Sequence, residues 1–137
     1  VRSCWCNSGR NTALLLQAVD SPWLKVIWDP ANAFVSGEEN VTGEGYAEVR
    51  SSVAHVHLKD AVVLDQDTGL TEWERIGDGS VELLDSLRVL RDDGYNGCVS
   101  IETHWRPEGS DQEENTRGAY SGLMGLLADI CAEGRRG

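Results

Sequence analysis

The sequence predicts an α/β fold in which short parallel strands alternate with helices. Helix-like and strand-like segments follow one another in turn along the chain, and each strand is separated from the next by a helix. Such alternation is typical of parallel strands joined by crossover helices. Each of the three strands also ends at a residue able to bind a metal ion. Three strands do not close a barrel, so the sheet is either a small open one or part of something larger.

The boundaries of these elements follow from apolar periodicity and from the residues that interrupt it. Helices are predicted over residues 11–19, 45–52, 81–91 and 116–131, and strands over residues 24–28, 53–58 and 97–101. The first strand ends at Asp29-Pro30, because proline cannot continue a ladder of hydrogen bonds. Loops are predicted over residues 36–45 and 106–115, and a small hairpin is predicted to pair residues 61–64 with residues 72–76.

The helices carry apolar stripes that should face a core, and polar residues stand before two of them. The stripes are Leu15 and Val19 in the first helix, Leu83, Leu87 and Leu90 in the third, and Leu123, Leu126, Leu127 and Ile130 in the last. Asn11 or Thr12 is the predicted N-cap of the first helix, and Ser80 that of the third. In the second strand, alternation places His55 and His57 on one face, and Val56 and Leu58 on the other.

Composition restricts the partners of this chain. It has 137 residues, with 12 Lys and Arg against 23 Asp and Glu, and a net charge of −11. This balance argues against a nucleic-acid role, because phosphate binding needs a basic patch. It also disfavours binding to an anionic membrane surface, and no segment is apolar enough to span a bilayer.

The cysteines and the N-terminus indicate the compartment. Cys4, Cys6, Cys98 and Cys131 lack the spacing of a zinc site or an easy disulfide, so we expect free thiols in a reducing cytoplasm. The first residues have no apolar core of a signal peptide, and the chain does not begin with Met. We therefore expect a cytoplasmic protein whose sequence begins inside a longer one.

The residues at the strand ends predict a metal site. Asp29, His57 and Glu102 each stand at the carboxyl end of a strand, where ligand sites of parallel α/β folds lie. Two carboxylates and one imidazole suit Mn²⁺, Mg²⁺, Co²⁺ or Zn²⁺. His57 is the better ligand of the two strand histidines because it is nearer the strand end. His55 is then expected either to lie in the layer of side chains below the site or to support a ligand without binding the metal.

Further polar residues follow the same strand ends. Lys59 is predicted either to bind a hydroxyl or phosphate of a substrate or to be a solvated loop lysine. His104, Trp105 and Arg106 follow Glu102, and they either line the pocket or lie on the surface.

Four short motifs, in this order, resemble the xylose isomerase-like TIM-barrel superfamily. They are Trp28-Asp29-Pro30-Ala31-Asn32, His55-Val56-His57-Leu58-Lys59-Asp60, Ile76-Gly77-Asp78-Gly79 and Ile101-Glu102-Thr103-His104. The resemblance covers about residue 3 to about residue 130. It implies that residues 1–137 are the C-terminal half of a (β/α)₈ barrel, about strands six to eight with their helices, without the N-terminal half.

The resemblance also implies ligands and roles. In the epimerases of this superfamily a metal is held by a Glu, an Asp, a His and a Glu from strands five to eight, and Asp29, His57 and Glu102 match the last three. Residues 3–9 resemble the loop after the fifth strand, so the first Glu would lie just before Val1. Asn32 stands where some relatives carry a histidine. We retain it as a substrate-binding candidate together with Lys59, His55, His104 and Arg106.

The expected function is metal-dependent isomerisation or epimerisation of a sugar, sugar phosphate or related polyol ketone through an enediolate, with Glu102 as catalytic base. A dehydratase on the same scaffold is the nearest alternative. An abasic-site endonuclease is another, weakened by the charge and by Asn32. The remaining alternative is an inactive fragment or binding domain. The expected partner is a small polyol, and a homo-oligomer is possible.

Overall fold

The computed structural model describes residues 5–134 as an open parallel sheet with helices packed against one of its faces. The helices are α1 (Gly9–Val19), α2 (Pro30–Val35), α3 (Tyr46–Val49), α4 (Leu83–Asp92) and α5 (Gln112–Glu133). The strands are β1 (Val26–Trp28), β2 (Val53–Leu58), β3 (Asp60–Asp65), β4 (Leu70–Glu74) and β5 (Cys98–Ile101). The predicted α/β class with parallel strands is confirmed.

The main sheet has the order β1-β2-β5, and both pairings are parallel. Ile27 aligns with His55, which aligns with Cys98, and His57 aligns with Ser100. Aligned residues of neighbouring strands project to the same face. The three strands therefore end side by side at one edge of the sheet, the edge that follows Trp28, Leu58 and Ile101.

The two faces of this sheet differ in what covers them. Trp28, Val56 and Leu58 belong to the hydrophobic core beneath the helices, and Val56 and Leu58 are fully buried. The opposite face, which we call the open face, carries Ile27, His55 and His57. Ile27 is 58% exposed, which is unusual because isoleucine is among the residues most often buried in folded proteins. The predicted division of β2 into a histidine face and an apolar face is confirmed.

The predicted hairpin is confirmed as the antiparallel pair β3–β4, which begins directly after Lys59. Ala61 aligns with Trp73 within it. The hairpin stands next to the carboxyl ends of the main strands, because β3 starts only one residue after β2 ends.

The last two helices pack on the core and on the turn that follows the hairpin. The predicted stripe of α4 is confirmed, since Leu83, Leu87 and Leu90 are buried. In α5 the backbone of Gly122 lies directly against the carbonyl of Ile76. A Cβ at position 122 would stand 1.9 Å from that oxygen, which no side chain can occupy.

Several details of the predicted helices are wrong. The stripe of α1 is exposed at Leu15 and Val19, and α1 buries Gly9 and Ala13 instead. Small residues are buried there because the backbones of Gly9 and Gly45 touch. In α5, Leu127 is exposed, whereas the other three residues of the predicted stripe are partly buried against the core.

The caps also differ from the prediction. Ser8, rather than Asn11 or Thr12, caps α1 by accepting a hydrogen bond from the backbone of Asn11. Ser80 does not cap α4, which begins after Glu82 without a side-chain cap. The helix after the predicted loop begins earlier, at Gln112, because Asp111 and Glu114 form a capping box. The helix α2 was not predicted, although Asp29 followed by proline is a typical helix start.

Other sequence predictions concern the thiols and the membrane. Cys6 and Cys98 are free thiols, and Cys4 lies outside the described residues. Between residues 5 and 134, no helix has both the length and the apolar character needed to cross a bilayer. The cytoplasmic location stays a prediction.

The open face leads to a prediction about association. Both outer strands of the described sheet present unpaired backbone groups, and apolar side chains such as Ile27 face solvent beside them. We expect the 137-residue chain, made alone, to self-associate or to be only partly folded. Sedimentation velocity over a concentration series checks this. A monodisperse monomer that unfolds in one cooperative step would contradict it.

Candidate metal centre

Asp29 is held at the end of β1 by the start of the helix that follows. Pro30 is the first residue of α2, and the Asp29 side chain caps this helix. Its Oδ1 accepts a hydrogen bond of 2.9 Å from the backbone N–H of Asn32. Capping fixes the orientation of the buried carboxylate and leaves Oδ2 directed toward the neighbouring strand ends.

His57 and Glu102 lie at the ends of β2 and β5. The pairing of these strands continues past β5, because the backbone N–H of Glu102 donates to the carbonyl of Leu58 at 2.9 Å. This hydrogen bond sets Glu102 beside the end of β2. As a result, Nδ1 of His57 lies 3.5 Å from Oε2 of Glu102.

Asp29, His57 and Glu102 thus converge on the same edge of the sheet. Each offers one ligand atom, and the three atoms all lie within 4.8 Å of one another. Opposite ligands of one ion with 2.2 Å bonds are about 4.4 Å apart, so small side-chain rotations would bring the three atoms to coordination distance. The donor set of two carboxylates and one imidazole fits a divalent ion.

Lys59 lies between the two carboxylates. Its side chain is 3% exposed, and its Nζ donates to Oδ2 of Asp29 at 2.6 Å and closely contacts Oε2 of Glu102. The expectation of a solvated loop lysine is wrong. A buried ammonium persists only when carboxylates surround it, and Asp29 and Glu102 supply these charges.

The environment of Glu102 favours its ionised form. Burial raises the pKa of this carboxyl, whereas the hydrogen bond and the charge of Lys59 lower it, with smaller contributions from His57 and His104. The net effect is a pKa below the usual range for glutamate. Glu102 is thus a carboxylate near neutral pH, the form needed both for binding a cation and for accepting a proton.

The other predicted residues divide between the centre and its surroundings. His104 lies at the rim, with Nε2 3.9 Å from Oε1 of Glu102. His55 lies one layer deeper, where Nε2 is 2.7 Å from Oγ of Ser100 and its ring meets His57 edge to face. Arg106 is exposed, and its charge still acts on His104.

His104 is biased toward its neutral form. Burial lowers its pKa first, and the positive charge of Lys59 lowers it further, against opposite effects of Glu102 and Asp29. Asn32 lines a small cleft beside β1 together with Asp29, and its backbone N–H donates to Oδ1 of Asp29.

Two residues near the centre were not singled out from the sequence. Asp60 is buried and accepts four backbone hydrogen bonds, from Ala61, Gly77, Gly79 and Val81. These bonds fold the turn after the hairpin around one carboxylate. Gly79 comes so close that a Cβ there would stand 2.3 Å from Oδ1 of Asp60.

Trp73 is the second. Its ring centroid lies 5.7 Å from Nζ of Lys59 and 4.6 Å from the ring centroid of His104, which it meets edge to face. The sequence did indicate Lys59, because this residue continues the alternation of His55 and His57 on the same face of β2. For Trp73 the chain offers no comparable signal, because only the fold brings the hairpin to the centre.

An open parallel sheet with a candidate metal centre at the carboxyl ends of its strands is the arrangement expected for part of a (β/α) barrel. The chain belongs to the xylose isomerase-like TIM-barrel family, whose profile matches residues 3–124.

Individual relatives agree with this assignment. The chain is similar to a xylose isomerase domain protein from Planctomyces limnophilus, with 26% identity and a TM-score of 0.72 over 91% of this chain and 43% of that one. It is 27% identical to an uncharacterised protein of Methanocaldococcus jannaschii over 88 residues, which are 64% of this chain and 28% of the relative. The chain therefore spans less than half the length of these relatives.

More distant structures share the fold. D-psicose 3-epimerase from Clostridium cellulolyticum, solved with D-tagatose, has 20% identity and a TM-score of 0.66 over 89% of this chain and 43% of its own. The IOLI protein, solved with a bound zinc atom, has 17% identity and a TM-score of 0.68 over 88% of this chain and 43% of its own. Proteins that share this fold thus include an epimerase solved with a sugar and a protein solved with a bound zinc atom.

Proposed function

We propose that Asp29, His57 and Glu102 are ligands of a divalent metal ion in an enzyme that isomerises or epimerises a sugar or related polyol ketone. The convergence of these three side chains at the carboxyl ends of adjacent parallel strands carries the proposal. Family membership supports it, since relatives include an epimerase and a zinc-binding protein.

The donor set accommodates Mn²⁺, Mg²⁺, Co²⁺ or Zn²⁺. When bound, such an ion would supply Lewis-acid stabilisation of the negative charge that develops on the oxygens of a polyol ketone. The remaining chemistry belongs to the chain. Glu102, ionised and 41% exposed, is accessible to a substrate and supplies the base that takes a proton from the carbon next to the carbonyl.

The substrate would lie along the rim of this centre. In the proposal, the neutral His104 accepts or donates a hydrogen bond to a substrate hydroxyl, and Arg106 faces the solvent side, where it could meet a phosphate. Asn32 and Lys59 complete the polar surface around Asp29 and Glu102. His55 acts from below by fixing the ring of His57.

We further propose that residues 1–137 form a partial barrel domain. The open face is where the remaining strands of a barrel would pack, and the solved relatives are more than twice as long as the part matched here. A fourth ligand, a Glu from a preceding strand, would then complete the centre in the full-length protein.

A pair of histidine variants tests the metal site. His57→Ala should weaken the binding of Mn²⁺ or Zn²⁺ by more than about 100-fold, beyond the range caused by losing an outer-shell partner. His55→Ala should weaken it less, because its Nε2 is engaged by Ser100 below the centre. Isothermal titration calorimetry measures both affinities. Equal losses in the two variants would remove the assigned difference between ligand and supporting residue.

A further inference from the structure

The position of Lys59 raises the question of what happens to its ammonium when a metal ion binds. Asp29 has only Oδ2 directed at the centre, because Oδ1 is engaged by the backbone of Asn32. Nζ of Lys59 already donates to this Oδ2 and contacts Oε2 of Glu102. The ammonium therefore occupies the same two oxygens that a divalent ion would take.

A divalent ion and this ammonium would repel each other strongly at such distances. The site is largely buried around Lys59, so water screens the repulsion poorly. Asp29 and Glu102 together neutralise a divalent ion, so these two carboxylates keep no net negative charge to hold a second cation between them. Metal binding should thus remove the reason for the ammonium to stay between Asp29 and Glu102.

A second binding position for the ammonium lies within reach of the Lys59 side chain, at the ring of Trp73. The ring of Trp73 lies 5.7 Å from Nζ, inside the range of a cation–π contact. Lysine has a flexible four-carbon stem, so its head group can move toward this ring without any change in the backbone. The ring of His104 lies against the ring of Trp73. The second position of the ammonium is therefore at the rim of the centre, where we propose that the substrate binds.

We propose that Lys59 is the resident cation of the metal-free centre, and that a divalent ion displaces its ammonium from Asp29 and Glu102 toward Trp73. There the ammonium presents its donors to an oxygen of the substrate. This inference rests on the proposed metal site. It makes Lys59 a substrate-binding residue whose position depends on whether the metal site is occupied.

The inference predicts opposite effects of one substitution. Lys59→Met keeps the length and apolar stem of the side chain but removes the charge. Zn²⁺ affinity should rise by roughly tenfold or more because the competitor is gone. The thermal stability of the metal-free chain should fall, because two carboxylates lose their cation. A lysine that only supports the fold would not raise metal affinity when replaced.

Calorimetry with Zn²⁺ alone on the full-length protein measures the first effect, because we expect the 137-residue chain, made alone, to self-associate or to be only partly folded. Lys25→Met is the matched control, because Lys25 is exposed and is the only other lysine of the sequence. It should leave Zn²⁺ affinity unchanged. Equal or weaker Zn²⁺ binding by Lys59→Met than by the unmodified chain overturns the competition.

The movement itself is measured by NMR of lysine labelled with ¹³C at Cε. Lys59→Met identifies the Lys59 signal, and Lys25→Met identifies the Lys25 signal. Saturating Zn²⁺ should shift the Lys59 signal upfield through the ring current of Trp73, and Trp73→Leu should abolish this shift. The Lys25 signal should not move.

The outcomes separate this inference from the metal site. If Zn²⁺ binds and the Lys59 signal stays in place, the displacement is wrong and the metal site stands. If neither the unmodified chain nor Lys59→Met binds Zn²⁺, the metal site and the displacement are both wrong. If only Lys59→Met binds Zn²⁺, the ammonium competes for the site but the ion does not displace it, so the metal site stands and the displacement is wrong.

Discussion

Glu102→Gln should lower the turnover of the full-length protein by about 10² to 10⁴, the usual range for the loss of a general base. The amide keeps the size of the side chain and one oxygen able to bind a cation, but it cannot accept a proton. Some metal binding should therefore remain while the transfer of a proton from carbon is lost. The low pKa of Glu102 means that this loss should be seen across the neutral range.

The measurement is the incorporation of deuterium from heavy water into a panel of ketoses, followed by NMR or mass spectrometry. Glu108→Gln is the control, because Glu108 is exposed on the loop that follows the centre. It should exchange deuterium at the unmodified rate. Exchange by Glu102→Gln as fast as by the unmodified protein would make Glu102 a ligand only and place the base elsewhere.

Asp60→Ala should strongly destabilise the chain, although Asp60 is not part of the hydrophobic core. The substitution leaves four backbone N–H groups around the turn without their acceptor, two of which reach Oδ1 and two Oδ2. A buried donor left unsatisfied costs about 1–3 kcal/mol, so we expect a loss of at least about 3 kcal/mol in the free energy of unfolding. Denaturant unfolding followed by circular dichroism measures it.

Two further variants show whether the carboxylate geometry is the cause. Asp60→Asn keeps Oδ1 but turns an amide toward the N–H groups of Gly77 and Gly79, and should therefore fall between Asp60→Ala and the unmodified chain. Asp78→Ala removes an exposed carboxylate of the same turn that pairs with Arg75. It should cost less than about 1 kcal/mol. A loss in Asp78→Ala equal to that in Asp60→Ala would contradict the account.

The residues of the candidate centre could be predicted because parallel strands end together. Once alternation fixed the faces of His55 and His57, and once each strand was followed to its end, Asp29, His57 and Glu102 were expected at one edge. Their role as metal ligands stays a prediction, because closeness of the three side chains does not by itself demonstrate that they bind an ion.

Lys59 shows where sequence reasoning stops. Whether a charged side chain after a strand is solvated or buried depends on carboxylates that are 30 and 43 residues away in sequence. Likewise, periodicity in α1 identifies stripes but not which stripe is buried. The close contact between Gly9 and Gly45 decides this, and it involves two residues without side chains.

The contact of Gly122 with the carbonyl of Ile76 has a consequence for natural variation. Gly122 lies on α5 and is not one of the residues that converge at the candidate metal centre. Any side chain there would push α5 away from the turn whose other end is gathered around Asp60, the residue next to Lys59. Among close orthologues, position 122 should therefore vary as little as Asp29, His57 and Glu102, although it lies outside the candidate metal centre.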